Sequence, residues 1–289
     1  MSITTLAGVQ SGLLPPSFFT KTTGTSSVQS RCVSFWYISG YPNAPTPDYS
    51  TANGSTLTSS PGSPVTGMLP FQDPVSGNSY LARLQVGMAE LATYGGALML
   101  ADRMWSCGAD NSGASFDLSS GTNVTIASPT WPARDIAGST NGDGVFIAME
   151  VATTFSPSNT VNSTISYTNS AGTSGRTGTL VLSTNSATGN PGGFYIFGLQ
   201  AGDTGVRSVE GFTANIWTSG STIGKVQLVA FRPIGMVDLN YSGQTNAADA
   251  LDVGFPVIPN GAVPFLISTN IVTSSNSPVI SGSATWAQG

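Results

Sequence analysis

At 289 residues the chain is long for a single domain, yet within reach of a β-sandwich with long loops. Only 8% of its residues are charged, against about a quarter in ordinary soluble domains, and 39% are hydrophobic, so core material is ample and the coat must be Ser, Thr, Asn and Gln. The net charge of −5, with Lys and Arg scattered singly, excludes the clustered cations on which direct nucleic-acid binding depends.

A neutral, hydroxyl-rich surface suits permanent contact with copies or partners, because burying a hydroxyl costs less than burying an ammonium. It equally suits a secreted β-protein. The opening Met1-Ser2-Ile3-Thr4-Thr5-Leu6 lacks the basic and apolar regions of a signal peptide. No apolar run approaches the roughly 18 residues of a membrane span. The expectation is a chain made and used without classical export and without a membrane. Cys32 and Cys107 sit on or beside apolar strands, where a thiol behaves as a small hydrophobe, and their pairing stays open.

In chain order, residues 1–29 show no sustained period and read as an extended arm. Residues 31–39 (RCVSFWYIS) read as a first strand with Val33, Phe35 and Tyr37 on one face. Residues 40–70 form a proline-punctuated loop, of a length that is usually functional or packed on a neighbour. Leu81, Leu84, Met88 and Leu91 recur at three and four, predicting a helix capped by Asn78 or Ser79 and ended by Gly95-Gly96, although 80–84 also reads as a strand. Residues 97–105 (ALMLADRMW) read as a central strand, on which adjacent Asp102 and Arg103 must face opposite ways. One of the two then points inward and needs a partner.

Further strands are expected at 123–126, 144–151, 161–168, 177–183 and 193–199, with Val161, Ile165 and Tyr167 inward. Phe212, Ala214 and Ile216 alternate with Thr213, Asn215 and Trp217, and Val226, Leu228 and Ala230 alternate with Lys225, Gln227 and Val229. The polar link 218–222 has the length of a hairpin loop. Before Gly211 the apolar phase changes, with Val209 inward, so a β-bulge is expected there. Arg232-Pro233 closes the pattern, because proline disfavours strand interiors. The expected fold is all-β, an antiparallel jelly-roll-like β-sandwich over 30–234 with one short helix. It is flanked by an N-terminal arm, 1–29, and a C-terminal arm or small appended β region, 235–289. A chain ending at Ile234 is accordingly expected to fold, the tail serving contact between subunits.

There is no histidine, which removes Ser-His-Asp and Cys-His catalysis and most zinc sites. No phosphate-binding or dinucleotide-binding glycine motif is present. The remaining chemistry is a carboxylate pair of the glycosidase kind, with candidates Asp102, Asp110, Asp117, Asp135, Asp143, Glu150, Asp203 and Glu210. Glu150 stands on an otherwise apolar strand, either as a general acid or, the favoured reading, as the structural partner of Arg103, Arg134 or Arg207. The loops at Asp110-Asn111-Ser112-Gly113 and Asn141-Gly142-Asp143 lack the bidentate glutamate of a calcium site and read as turns. Trp131-Pro132 with Trp36, Tyr37 and Tyr41 is a sugar platform or, more simply, core or subunit interface. No catalytic, metal or cofactor residues are assigned.

Three stretches carry a resemblance: residues 69–83 (LPFQDPVSGNSYLAR), 131–135 (WPARD) running into 138–144 (GSTNGDG), and 200–209 (QAGDTGVRSV). Together they resemble a group of virion structural proteins of tailed bacteriophages, over about residues 13–234. The resemblance carries no catalytic motif. It implies a particle component, in head, neck or tail. The absence of a signal, the low charge, the arms and the long loop agree with assembly in a host cytoplasm. The preferred reading is a non-enzymatic capsid decoration or cement protein, homo-oligomeric (a trimer by preference) and in contact with the major capsid protein. A neck or tail component and a carbohydrate-binding attachment module are the alternatives.

Overall fold

The computed structural model describes the chain except residues 1, 2, 4, 23–31, 72, 75, 76, 90, 91, 95, 109–122, 154–160, 183–190, 216–224, 240–242, 253, 255, 270, 271 and 274–278. Arg31, Leu91, Gly95, Asp110, Asp117, Ile216, Trp217 and the link 218–222 therefore lie outside the described residues.

Among the described residues the one helix, α1 (Leu6–Gly12), is capped by Thr5, whose hydroxyl accepts the Gly8 N–H at 3.1 Å. The strands begin with β1 (Ser17–Thr22), β2 (Cys32–Ser34), β3 (Gly40–Tyr41), β4 (Ser55–Thr56), β5 (Ser79–Ala89), β6 (Ala92–Tyr94) and β7 (Gly96–Cys107). Next come β8 (Asn123–Thr125), β9 (Phe146–Val151), β10 (Val161–Asn169), β11 (Arg176–Leu182), β12 (Gly193–Ile196) and β13 (Val206–Asn215). The last are β14 (Val226–Leu239), β15 (Thr245–Asp249), β16 (Val257–Ile258), β17 (Pro264–Thr269), β18 (Val272–Thr273) and β19 (Val279–Gln288). The fold is all-β and antiparallel, of the jelly-roll-like sandwich class. It divides into two compact units, one of Met1–Pro45, Thr58–Asp102 and Pro233–Gly289, the other of Thr46–Leu57 and Arg103–Arg232. Both boundaries between Asp102 and Arg103 and between Arg232 and Pro233 fall inside strands, β7 and β14.

The first unit is organised around β19. This strand pairs with β5 on one side, from Val279↔Ala89 to Gln288↔Ser79, and with β1 on the other, from Ser17↔Ala284 to Thr22↔Val279. β15 and β3 extend the sheet at its two edges. Gly282 is hemmed in by its own sheet, since a Cβ there would fall 2.0 Å from the Gln85 carbonyl oxygen of β5 and 2.5 Å from the Phe19 ring of β1. The second layer is β2–β17–β7. Phe19, Leu84, Val86, Met88, Ile280 and Trp286 from the first layer share one apolar cluster with Leu98, Leu100 and Leu266 from the second. Lys21 is buried at 2% exposure and donates to the carbonyls of Ile38 (3.0 Å) and Pro42. Burial lowers its ammonium to about 8.

Two expectations are corrected in this unit. The segments read as an N-terminal arm and as a C-terminal arm or small appended β region are not appendages: β1 and β15 to β19 supply strands of the first unit, β1 and β19 pairing with each other. The helix expected from Leu81, Leu84 and Met88 is β5. Its register slips between Thr285↔Arg83 and Trp286↔Leu81, so a bulge at Ala82 turns both Leu81 and Leu84 inward. Beyond the bulge, Leu84, Val86 and Met88 alternate as a strand should. A bulge plus period two thus imitates helical spacing. The short helix lies instead at Leu6–Gly12.

The second unit has a four-stranded layer in the order β11-β10-β13-β8 and a facing layer containing β12-β9-β14. Ile165 and Tyr167 of β10 and Val209 and Phe212 of β13 meet Ile147, Met149 and Val151 of β9 and Leu228 and Ala230 of β14. Trp105 and Trp131 pack at 5.4 Å between centroids in the same core. The bulge expected near Gly211 is present, because Ser166 pairs with Gly211 but Tyr167 pairs with Val209. β13 and β14, expected to form a hairpin, belong to different layers. β14 also runs through Pro233, which is exposed, to Leu239.

The pairing of β19 sets an expected outcome. A chain ending at Ile234 loses β15 to β19 and with them the central strand and Trp286 of the first unit, so β1 and β5 have no sheet to join. Hydrogen exchange should find β1 and β5 amides protected in the full chain and unprotected in the truncated one. Native protection in the truncated chain would contradict this reading.

Candidate functional site

Glu150 is the sequence candidate with the most chemistry. On β9, Ile147, Met149 and Val151 fill the core, so period two turns Ala148 and Glu150 to the other face. Gln227 of β14 is the cross-strand partner of Glu150. Arg103 of β7 reaches the same place: its Nη1 lies 2.7 Å from Glu150 Oε2, both side chains being wholly buried. Arg103 Nη2 also donates to Gln227 Oε1 at 3.5 Å, and Gln227 Nε2 donates to the Asp48 carbonyl at 2.8 Å. Tyr49 lies close by, its hydroxyl pushed up to about 12 by burial and by the Glu150 charge. The Lys225 ammonium stands 4.6 Å from the Tyr49 ring centroid. A glycosidase acid needs an open side from which to reach a glycosidic oxygen. Glu150 has none, being enclosed and spent on Arg103.

The other acids are tied to backbone or side-chain donors. Asp135 accepts the N–H groups of Ala137 (3.0 Å) and Ser139 (2.6 Å) on Oδ1, and the Ser139 hydroxyl (2.6 Å), Gly142 N–H (3.1 Å) and Asp143 N–H (3.2 Å) on Oδ2. Burial pushes this carboxyl up, but the Ser139, Asp143 and Ala137 donors outweigh it and bring it below the ordinary range. The turn is completed by Gly142, at φ 79°, where a Cβ would fall 2.0 Å from the Val206 carbonyl oxygen. Asp203 takes Arg176 as a fork, Nε at 2.9 Å and Nη2 at 3.0 Å, with the Tyr167 hydroxyl at 2.6 Å and Asn169 Nδ2 at 2.7 Å. Arg176 and then Tyr167 draw its carboxyl down to about 2. Asp143 accepts from the Thr204 hydroxyl, Glu210 from the Thr168 hydroxyl, and Asp102 from the Val263 N–H at 2.8 Å. The expectation of one inward residue at 102–103 is corrected, since both Asp102 and Arg103 are buried.

Asp73, in the first of the three stretches, accepts the Gly261 N–H at 2.9 Å and the Ser59 hydroxyl at 3.3 Å. In the second stretch, Trp131 donates to the Val206 carbonyl at 2.7 Å and Arg134 to the Leu57 carbonyl at 2.7 Å. These residues close loops onto their own sandwich layers. No group of three or more His, Cys, Asp or Glu among the described residues is placed to hold a metal.

The sugar platform is corrected as well. Trp131 and Trp36 are 1% and 3% exposed, so neither offers a face to a ligand. Trp36 packs edge-on against Phe265 at 6.0 Å. Tyr41 is exposed and Tyr37 half-buried, but the platform is left without either tryptophan. Cys32 and Cys107 are free thiols, and burial raises that of Cys32.

Among the described residues, two roomy surface cavities bear on function. In the first unit, Pro15, Pro61, Pro64, Pro70, Phe71 and Trp286 line an apolar hollow of about 320 Å³. In the second, Ser128, Thr130, Thr140, Thr168, Arg207 and Ser208 line a polar one of about 310 Å³. Sequence reading passed over this second cavity, though Val206 and Val209, three apart, were its signal.

No protein-family model matches the chain, and no curated protein matches it. Solved structures aligned with it include the VP2 subviral particle of infectious bursal disease virus, at 11% identity and a TM-score of 0.22, over 96% of this chain and 81% of that one. The T=1 particle of the same virus aligns at 12% identity and a TM-score of 0.21, over 96% and 78%.

The Arg103–Glu150 pair is the site's testable feature. Glu150→Gln should lower the free energy of unfolding by about 1–3 kcal/mol. Glu150→Ala, which strands a buried guanidinium, should cost about 3–5 kcal/mol, read by urea denaturation. A Gln variant as stable as the wild type but stripped of a hydrolytic activity would restore the general-acid reading.

Proposed function

We propose that the chain is a non-enzymatic structural component of a virus particle, a capsid decoration or cement protein of a tailed bacteriophage. The observation that carries this reading is the use of the motif residues. The three stretches that resemble phage virion proteins contain Asp73, Trp131, Arg134, Asp135 and Asp203, and each of these side chains holds a loop. Residues shared for architecture suit a building block, whereas an enzyme's shared residues would face a cleft.

The charge distribution supports the same reading. Surface charge keeps soluble proteins apart, and this chain has little of it. The outer face of β10 and β11 presents Thr164, Ser166, Thr177 and Thr179, which can be buried against a neighbour at small cost. In this role the protein adds buried area at the junctions between capsid subunits and so opposes the pressure of packaged DNA. Its partners are copies of itself, as trimers, and the major capsid protein.

Sedimentation of the isolated chain at about micromolar concentration should therefore show association, with a trimer as the main species. A single monomeric boundary across that range would contradict the assembly role.

A further inference from the structure

The polar cavity of the second unit is built by a second bulge in β13. Val206 and Val209 are both wholly buried in the same core although they are three residues apart, which regular period two forbids. The register shows how this is achieved: Thr168 pairs with Ser208, but Asn169 pairs with Val206, leaving Arg207 as the extra residue. Arg207 is thereby exposed beside the half-buried Ser208, where a regular strand would send one of the two into the core. Bulges of this kind re-aim side chains at functional sites.

The surroundings of Arg207 are chemically specific. Among the described residues it has no ion pair, in contrast to Arg103 and Arg176. Its Nη1 lies over Gly172, where a Cβ would come within 3.4 Å. The cavity of about 310 Å³ is otherwise lined by the hydroxyl residues Ser128, Thr130, Thr140, Thr168 and Ser208, with Pro129 as its apolar wall; the Ser128 hydroxyl already accepts the Val209 N–H at 2.9 Å and the Thr168 hydroxyl donates to Glu210.

We propose that this cavity binds one ring of an acidic saccharide, with Arg207 on the sugar carboxylate and the hydroxyls on the ring. A guanidinium fork matches a carboxylate with two parallel hydrogen bonds. Hydroxyl side chains donate and accept alike, as sugar hydroxyls do. One cation suits a monoanion, whereas a phosphate dianion calls for a second cation and none lines the cavity. The volume is near the lower limit of about 300 Å³ for small-molecule sites, which fits a single ring. This site is separate from the buried Trp131 and Trp36.

The test is saturation-transfer NMR on the full chain with glucuronate, galacturonate and N-acetylneuraminate, against glucose and acetate, each at about 10 mM. At least one sugar acid should bind, and glucose and acetate should bind about tenfold more weakly or not at all. Arg207→Ala should abolish the signal, and Arg207→Lys should weaken it, while both variants keep the native circular dichroism. The proposal is overturned by no transfer from any sugar acid or by acetate binding as tightly as the best of them. Glucose binding equally, or a signal unchanged in Arg207→Ala, would overturn it too.

Discussion

The structure depends on where the chain puts its few charges. Lys21, Asp73, Asp102, Arg103, Arg134, Asp135, Glu150 and Arg232 are all buried, although such side chains are almost never fully enclosed unless paired. Each buried charge whose contacts are described above has its own answer. Arg103 and Glu150 neutralise one another, Asp135 is surrounded by donors, and Lys21 is held by carbonyls and has its proton loosened. A buried ion pair contributes little net stability against an apolar replacement, but breaking it is costly, so such groups fix one arrangement over others. Here they fix the loops, which in a chain so rich in Gly, Ser and Thr have few side chains of their own to pack.

With eight of its few charges used inside, the outside is left largely to hydroxyls and amides. That inversion links the fold to the proposed role. A neutral sheet face and ordered loops are what a particle subunit needs, since its surface is meant to be covered by other subunits. The Arg207 cavity differs from the buried charges in that its cation is exposed and has no ion pair among the described residues.

Much of the second unit was legible in the sequence because its strands are short, local and regular. β8 to β12 fall where period two places them, and the bulge at Gly211 was readable from the change of apolar phase. The same reasoning, applied to Val206 and Val209, would have found the bulge at Arg207. The failures have physical causes. The bulge at Ala82 gave β5 a helical spacing. The pairing of Ser17 with Ala284 joins residues so distant that no local pattern announces it, and both ends therefore read as arms. A polar link that changes layers has the same composition as a hairpin loop, so β13 and β14 looked like neighbours. The Arg103–Glu150 contact was foreseen as one of three pairings, because an acid on an apolar strand demands a partner without naming it.

Asp73, Asp135 and Asp203, in residues 69–83, 131–144 and 200–209, serve to hold loops. Thermal unfolding of Asp135→Ala tests this most directly, because that carboxylate accepts four of the N–H groups in the turn from Ala137 to Asp143. Removing it strands several donors, at about 1–3 kcal/mol, and in a chain of this size should lower Tm by about 5 °C. An unchanged Tm would contradict the account and return Asp135 to the list of residues awaiting a chemical role.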